Sequence, residues 1–353
     1  MLVLYYGPIT SKGKPNTGGF EAANRKNIDK LRELGVEVRE YPNPVIKRKL
    51  GKLGKLAYLK LYATPFVLLR YVGRKDVIVH TTPLYGNLLL PSLFLLRLAK
   101  ILGIPVLVDV RAGSLIHYYQ TKGKSKQRQL RSMLCLAKAI TVEGSSYIKD
   151  IKAVMGIAKE AVYFPNVAIC REKVIEKRPE HTINVFYFGR ITTNKGIDVL
   201  LEMIEALGEH YHLYLAGPIA KDVSAVALKQ PQITYLGLFT PEQLEKEMQR
   251  MHFFVFPTKH IGEGQSNSLI EAMANGLVPI VSNQGFNAEV VSDCGVVLEQ
   301  GKTGRDYAAV IKSIDAGTWE KLSKKCKEHI HQCHNIDKEI PKLINIYQQM
   351  IVR

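Results

Sequence analysis

Two glutamates in the stretch GEGQSNSLIEAMANG, residues 262–276, are placed where they could act on one ligand. Glu263 lies in a glycine-flanked polar loop, and Glu271 lies eight residues later in an apolar run that ends at a glycine. Because Ser266 and Asn267 are both good N-caps, a helix is predicted to begin there, with free N–H groups that can meet a phosphate or sugar oxygen. The two acids could then bracket a nucleotide sugar, or Glu271 could merely stabilise the helix N-terminus through the helix dipole.

A second loop offers two cations at the start of another predicted helix. The apolar stretch NVFYFGR ends at Gly189 and Arg190, and Lys195 follows five residues later, before the helical pattern IDVLLEMIEAL. Cations and N–H groups at a helix N-terminus can hold a diphosphate, although a solvated basic loop would look the same. Neither this strand end nor the first strand carries a Walker A sequence or a G-x-G-x-x-G fingerprint, which weighs against P-loop and NAD-binding proteins.

Near-continuous apolar strands alternate with helices along the chain, which predicts parallel sheets covered on both faces. A polar, proline-containing stretch separates two such series. We therefore expect an α/β protein with two doubly wound, Rossmann-like domains and a deep cleft between them. The predicted domains are residues 1–165 and 166–335, followed by a helix over 336–353 that could pack on the first domain. Ligands of such sheets bind outside the carboxyl ends of the strands, where both loops are expected.

Length and composition narrow the class of protein further. The 353 residues suffice for two domains, and 46% are apolar, as in a soluble α/β protein. The chain opens on a predicted strand, MLVLYYG, and not on a signal sequence, so we expect a cytoplasmic location. The most apolar stretch, residues 87–108, is interrupted by proline, glycine and cations and is predicted to be a buried helix and strand. Five scattered cysteines indicate no disulfide framework, and CKEHIHQCHN lacks the spacing of a structural zinc site.

The positive charge is confined to the first half of the chain. Residues 1–165 hold 28 lysines and arginines against 10 acids, whereas residues 166–353 hold 21 against 22. No acid occurs between Glu40 and Asp76. This asymmetry predicts an anionic partner for the first half. The candidate contact residues within the acid-free stretch are Lys47, Arg48, Lys49, Lys52, Lys55 and Lys60.

Several motifs together resemble the C-terminal domain of retaining, family-4-type glycosyltransferases with the GT-B fold. They are FGRITTNKG, AGPIA, ITYLGLFTPEQLEKEM and FFVFPTKHIGEGQSNSLIEAMANGLVPIVS. By this resemblance, Arg190 and Lys195 neutralise the diphosphate of the donor. Glu271 holds the ribose, and Glu263 contacts the donor sugar near the reacting carbon. The other donor-binding residues that the resemblance implies are Gly18, Gly19, Gly189, Tyr235, Leu238, Gly264, Asn267, Ser268 and Leu269.

The acceptor side departs from the family pattern. Many members carry a histidine near the reacting sugar, where this sequence offers Asp109 and Arg111 in DVRAGSLIHYY. The two residues are therefore candidate catalytic residues. His117 lies farther on, and His80 is equally plausible as a structural histidine at a strand end. No Asp-x-Asp signature is evident, and the two cations of the second loop could neutralise the leaving group, so we expect no metal or other cofactor.

The basic first half fits an acceptor at a membrane. In VIKRKLGKLGKLAYLKLYATPFVLLRYVGRK, cations alternate with large apolar residues, as in segments that lie at a membrane interface. The expected function is sugar transfer from a UDP- or GDP-linked donor to a lipid-linked saccharide at the inner face of the plasma membrane. The product would be an envelope polysaccharide such as lipopolysaccharide or capsule.

Two other functions stay open at this point: a sugar-nucleotide epimerase of the same fold, and a non-catalytic protein that binds anionic membranes. Nucleic acid is not an expected partner, because neither ribonucleoprotein aromatic motifs nor a helix-turn-helix pattern is evident.

Overall fold

The computed structural model of the chain describes residues 1–10, 19–43, 51–83, 85–171 and 182–351. These residues divide into two compact units. The first unit takes the described residues from Met1 to Pro165 together with those from Asp337 onward. The second unit takes those from Asn166 to Ile336. Each unit is built around one parallel sheet, as the sequence predicted.

The described residues of the first unit form a six-stranded sheet. Its strands are β1 (Leu2–Gly7), β2 (Glu37–Pro42), β3 (Val77–Thr81), β4 (Val106–Val110), β5 (Ala139–Val142) and β6 (Ala161–Tyr163). Their order across the sheet is β2-β1-β3-β4-β5-β6, so the winding reverses between β1 and β3. The strands β1, β3 and β4 are buried over their whole length, which is why they read as near-continuous apolar runs.

Helices connect these strands. They are α1 (Gly19–Glu33), α2 (Gly51–Ala63), α3 (Leu89–Ile101), α4 (Leu115–Thr121), α5 (Lys124–Leu136) and α6 (Ser146–Ala153), with 3-10 helices over Thr64–Tyr71 and Gly86–Leu88. The apolar stretch at 87–108 thus forms α3 followed by β4, as predicted. Within the described parts of the chain, no helix combines the length and the hydropathy needed to span a bilayer.

The described residues of the second unit form another six-stranded parallel sheet. Its strands are β7 (Ile183–Phe188), β8 (Tyr211–Ala216), β9 (Ile233–Gly237), β10 (Phe253–Phe256), β11 (Val278–Ser282) and β12 (Val296–Leu298). The order β12-β11-β10-β7-β8-β9 reverses the winding between β7 and β10. The edge strand β12 was not predicted, because its half-buried apolar run, VVL, is only three residues long.

The helices of the second unit begin and end at recognisable sequence signals. They are α7 (Ile197–Leu207), α8 (Pro241–Met248), α9 (Asn267–Ala274), α10 (Asn287–Val291), α11 (Gly304–Ser313) and α12 (Ala316–Cys333), with 3-10 helices over Thr193–Lys195 and Ala225–Leu228. Thr240 and Thr303 form capping boxes at the starts of α8 and α11. After α9 the chain turns at Gly276, whose φ of 83° favours glycine.

The last helix, α13 (Ile336–Ile351), belongs to the first unit from Asp337 onward. Its Tyr347 hydroxyl lies 2.5 Å from Nδ1 of His80 in β3, and both side chains are fully buried. The Tyr5 ring stacks on His80 with 4.1 Å between ring centres. Burial lowers the pKa of His80, which keeps the imidazole neutral inside this aromatic cluster. His80 therefore has the contacts of a structural histidine.

Candidate active site

The loops that carry the predicted cations and carboxylates leave neighbouring strands of the second sheet. Strands β7 and β10 pair directly, and the winding of the sheet reverses between them. In doubly wound sheets the ligand binds outside the carboxyl ends of the strands at such a reversal. Residues 189–196 follow β7, and residues 257–266 follow β10. These two loops therefore frame the ligand site that the topology of this sheet predicts.

Backbone contacts hold the two loops together. The N–H of Lys259 donates to Asn194 O at 2.8 Å. Gly196 has a φ of 79°, and a Cβ at this position would lie 2.2 Å from Pro257 O. Only glycine permits both this backbone conformation and this approach. The approach brings Lys195, the residue before Gly196, beside the loop that follows β10.

Lys195 and Glu263, predicted independently as a cation and a carboxylate of the site, are in direct contact. The Lys195 ammonium forms an ion pair with Glu263 Oε2. The Thr258 hydroxyl donates to the same oxygen at 3.0 Å. Glu263 is 8% exposed, whereas 22% of the Lys195 side chain is exposed. The Lys195 Nζ also lies 5.3 Å from the centre of the Phe256 ring. The result is a partly exposed cation next to a carboxylate that a buried threonine orients.

Arg190 adds a second cation to this place. Its side chain is exposed, and its carbonyl accepts a hydrogen bond from the Tyr187 hydroxyl at 2.7 Å. Partial burial lowers the pKa of His260, and the cations Lys195 and Arg190 lower it further, against the opposing effect of Glu263. Both cations therefore act electrostatically on one imidazole in the loop after β10. A positive field of this kind suits an anionic group such as a diphosphate.

The chain segments after β7, β8 and β9 meet through glycines. A Cβ on Gly217 would lie 1.9 Å from Gly189 O, and the Gly217 N–H donates to Gly237 O at 2.8 Å. The Tyr235 hydroxyl donates to Gly217 O at 2.9 Å, and Leu238 is exposed just beyond β9. The structure thus places the predicted residues Gly189, Tyr235 and Leu238 along one edge of the second sheet.

The helix α9 begins as the sequence predicted. Ser266 is its N-cap, and the Ser266 Oγ accepts from the Leu269 N–H at 3.4 Å and lies 2.9 Å from Ser268 Oγ. The predicted donor at Leu269 is thereby occupied by the cap. Asn267 is the first helical residue, and Glu271 lies half-buried one turn inside. Gly264, which is half-buried, lies between Glu263 and the residues that lead into the cap.

Three residues around Glu263 were not predicted: Thr258, His260 and Gly285. Thr258 and His260 lie in the stretch FFVFPTKHIGEG, within five residues of Glu263. Polar side chains so close in sequence could have been predicted to contact Glu263. Gly285 follows another strand, β11, and a Cβ there would lie 2.2 Å from Glu263 O. No local pattern in the sequence links Gly285 to Glu263, so this packing contact can be recognised only from the three-dimensional structure.

Asp109 and Arg111, the candidate acceptor-side residues, form a buried pair in the first unit. Asp109 accepts from Arg111 Nε at 2.7 Å and from the Thr141 hydroxyl at 2.8 Å. The His80 Nε2 lies 3.5 Å from the same carboxylate, which is fully buried. Burial alone would raise the pKa of Asp109, but Arg111 and His80 outweigh it, so the pKa is lowered and the carboxylate stays charged. These are the contacts of a structural ion pair, and a catalytic role stays a prediction.

Replacing Asp109 by asparagine separates the two roles. We expect Asp109→Asn to lower the free energy of unfolding by about 3 kcal/mol, because Arg111 would remain buried without its counter-charge. Urea denaturation followed by circular dichroism measures this loss. Loss of sugar transfer at unchanged stability would instead support the catalytic role. The partly exposed ion pair of Lys259 with Asp198 provides a matched control, since Asp198→Asn should cost well under 1 kcal/mol.

The other predicted contact residues are only partly described. Outside the described residues lie Gly18, Lys47, Arg48 and Lys49. Lys52 and Lys55 belong to α2, and their side chains lie outside the described part of the structure. Gly19 is the first residue of α1, and Lys60 is exposed in the last turn of α2. Across the described parts of the chain, no group of three or more His, Cys, Asp or Glu side chains is arranged to hold a metal ion.

The second unit is similar to a known protein family. Residues 182–315 match the family model described as glycosyl transferases group 1. The match covers less than half of the chain, but it spans every strand of the second sheet. No curated protein sequence matches the chain.

Solved structures of glycosyltransferases share the fold of the chain. Sucrose-phosphate synthase from Thermosynechococcus elongatus is similar with a TM-score of 0.77, at 16% identity over 100% of both chains. HepE from Anabaena, in complex with UDP, is similar with a TM-score of 0.72, at 13% identity over 99% of this chain and 100% of that one. The lipopolysaccharide outer core galactosyltransferase WaaB has a TM-score of 0.66, at 14% identity over 98% of this chain and 99% of that one.

The chain therefore shares the GT-B fold of these structures, and its second unit is similar to the group 1 glycosyl transferases. The matched residues include the whole sheet whose reversal point carries the Lys195–Glu263 pair.

Proposed function

We propose that the protein transfers a sugar, with retention of configuration, from a nucleotide diphosphate to a lipid-linked saccharide in envelope polysaccharide synthesis. The observation that supports donor binding is the contact between Lys195 and Glu263 at the winding reversal of the second sheet. This contact puts a cation for the leaving diphosphate next to a carboxylate for the sugar. A strand end that served only as scaffold would not need a partly exposed cation and a nearly buried acid together.

The chemistry follows from where charge develops. As the bond to the anomeric carbon breaks, the sugar becomes positive and the diphosphate becomes negative. Lys195 and Arg190 stabilise the negative charge, and they are worth most if they are already positioned before the reaction. When the diphosphate binds, Lys195 exchanges its pairing with Glu263 for the phosphate. Glu263, still held by the Thr258 hydroxyl, then accepts hydrogen bonds from the sugar.

The remaining site residues bind the nucleotide in this proposal. Glu271, one turn inside α9, accepts from the ribose diol, while the helix start at Asn267 and Ser268 faces phosphate or sugar oxygens. Tyr235 and Leu238 border the base. Gly189 and Gly264 let the backbone approach the ligand closely. The two cations supply the charge that a metal ion supplies in other transferases, so the proposed reaction needs no metal.

Two structural neighbours support the identity of the substrates. HepE is described in complex with UDP and with UDP-glucose, which makes a uridine nucleotide the first donor to test. WaaB is described as a lipopolysaccharide outer core galactosyltransferase, which supports an envelope acceptor. The charge of this chain agrees with such an acceptor, because residues 1–165 carry a surplus of 18 positive charges and lipid-linked saccharides are anionic. The proposed location is the inner face of the plasma membrane.

Thermal unfolding in the presence of nucleotides tests the donor site. We expect UDP or GDP, and their sugars, to raise the melting temperature by about 5 °C at a concentration a hundredfold above Kd. The shift should survive EDTA, because the site uses cations of the protein. Differential scanning fluorimetry with UDP, GDP and ADP measures it, and Lys195→Ala serves as the variant with an impaired site. If none of the three nucleotides raised the melting temperature, the result would contradict the donor site.

Product analysis separates transfer from epimerisation. The purified protein is incubated with the stabilising nucleotide sugar and no acceptor. The proposal expects the donor to keep its configuration, with at most slow release of free sugar. Conversion into an isomeric nucleotide sugar would overturn the transferase function in favour of an epimerase.

A further inference from the structure

We infer that one surface of the first unit docks on an anionic lipid bilayer. The surface, called here the docking ridge, consists of Leu56, Leu59, Phe66, Leu69 and Val72 with the cations Lys60, Arg70 and Lys75. The five apolar residues are between 52% and 66% exposed. The biological role of docking rests on the proposed lipid-linked acceptor. The surface itself is defined by the exposure and charge of its residues.

The exposed apolar residues are concentrated in one short stretch of the chain. The described residues include fifteen large apolar side chains that are exposed, and five of them fall within the seventeen positions from Leu56 to Val72. Single exposed apolar residues are ordinary on protein surfaces, whereas a group of them next to one another marks an interaction site. The ridge therefore needs an explanation that the isolated exposed residues elsewhere do not.

The backbone explains how these side chains come to face outward. Residues Thr64–Tyr71 form a 3-10 helix, in which side chains three residues apart lie in one row. Pro65, Leu68 and Tyr71 form the buried row. Phe66, Leu69 and, directly after the helix, Val72 form an equally apolar exposed row. An ordinary surface helix would be polar on its outer row, so the apolar outer row is a property of this segment beyond what folding requires.

The ridge is fixed to the body of the first unit. The Phe66 ring lies 5.7 Å from the Phe94 ring of α3. The buried Tyr71 accepts a hydrogen bond from Arg39 in β2 at 2.8 Å. The exposed residues therefore project from a positioned element, which a docking surface needs in order to orient the protein.

The charges around the ridge identify the partner. No acid occurs from Tyr41 to Lys75 in the sequence. Within the described residues, no ion pair holds Lys60, Arg70 or Lys75, and all three are exposed. Each cation close to an anionic leaflet strengthens binding to it. Apolar side chains flanked by unpaired cations match the boundary between acyl chains and anionic headgroups, so the partner is an anionic bilayer.

The inner side of the same segment borders a small pocket of the first unit. Leu61, Thr64 and Pro65 line this pocket, whose volume is about 40 Å³, together with Tyr6 in β1 and Thr82 directly after β3. The described residues that line this pocket carry no charge. The inner side of the segment is therefore uncharged, and the cations Lys60 and Arg70 are exposed on the segment.

Vesicle flotation with the full-length protein tests the docking ridge. The vesicles are phosphatidylcholine alone or phosphatidylcholine mixed with phosphatidylglycerol. We expect binding only to the mixed vesicles and about tenfold weaker partitioning for the triple variant Leu59→Ser, Phe66→Ser, Leu69→Ser. A second variant, Lys60→Glu with Arg70→Glu, should also bind at least about tenfold more weakly.

Matched variants control for charge and hydropathy. The triple variant Ile101→Ser, Ile169→Ser, Val226→Ser removes three aliphatic side chains that are between 55% and 80% exposed elsewhere, and it should bind like the original protein. Lys229→Glu with Lys321→Glu changes the net charge by the same amount at exposed positions of the second unit. Melting temperatures of all variants exclude loss of fold as the reason for a difference.

Three outcomes would overturn the inference. Unchanged flotation of both ridge variants would show that the ridge does not touch the bilayer. Weaker binding of the charge variant alone would show electrostatic adsorption without insertion of the ridge. Self-association that the serine variant abolishes, without vesicle binding, would assign the ridge to a second copy of the chain. None of these outcomes depends on catalysis, and the nucleotide-induced melting shift of the same variants reports separately on the proposed function.

Discussion

Replacing Lys195 by alanine is expected to lower kcat/KM for sugar transfer by about three orders of magnitude, within the range found when one preorganised electrostatic group is removed. The reason is the position of Lys195 at the winding reversal of the second sheet, beside Glu263. No other described side chain pairs with the Glu263 carboxylate as a cation. The measurement is initial-rate kinetics with the donor that stabilises the protein, combined with urea denaturation.

The structure predicts that this variant stays folded. Lys195 is partly exposed and Thr258 still donates to Glu263 in its absence, but the carboxylate is nearly buried, so the free energy of unfolding should fall by about 2 kcal/mol, between the costs for an exposed and a fully buried pair. Lys259→Ala is the matched control, since that lysine stands in the neighbouring loop and pairs with Asp198 at the surface. We expect Lys259→Ala to keep activity within about threefold, as exposed pairs contribute little.

A double-mutant cycle distinguishes direct participation from a structural pair. If Lys195 and Glu263 act on one donor, Glu263→Gln and Lys195→Ala should be strongly non-additive in kcat/KM, because either change disables the same site. Full activity of Lys195→Ala would remove the central residue of the proposed site. Additive, small effects on activity with a large loss of stability would make the pair structural only.

The sequence was sufficient to predict the strands that position this site. Buried parallel strands such as FFVF in β10 leave a continuous apolar run, and the polar residues after each run mark its carboxyl end. The helix start at Ser266 was predictable because capping uses a short local pattern. These signals placed Lys195, Arg190, Glu263 and Glu271 at strand or helix ends, where the structure also has them.

Contacts between distant parts of the chain could not be predicted in this way. Thr258 donates to Glu263 only because the loop after β10 turns back on itself, and Gly285 packs on Glu263 from the segment after β11. The sequence also did not show which polar side chains are buried. The stretch DVRAGS resembles a polar strand end, yet Asp109 and Arg111 neutralise each other within the first unit. Local patterns identify which residues are polar, but the packing of the sheet decides which of them reach a ligand.

Gly196 shows how such a distant contact can be tested. We expect Gly196→Ala to lower the free energy of unfolding by about 3–4 kcal/mol, through a positive φ and a Cβ forced against Pro257 O. Gly301→Ala is the matched control, because Gly301 has a φ of 86° and no atom within 4 Å of its Cβ position. This control should cost only about 1 kcal/mol, from the backbone conformation alone. Urea denaturation of both variants measures the difference.

The difference between these two glycine variants isolates the approach of the loop after β7 to the loop after β10. If the alanine at 196 pushes the loops apart, it also separates Lys195 from Glu263, so the nucleotide-induced melting shift should be lost in Gly196→Ala and kept in Gly301→Ala. Equal costs of unfolding for the two variants would mean that the loop after β7 can move away from Pro257 without penalty. A retained nucleotide shift in Gly196→Ala would then show that donor binding does not need this approach, and that Lys195 reaches the diphosphate from a loop that is free to adjust.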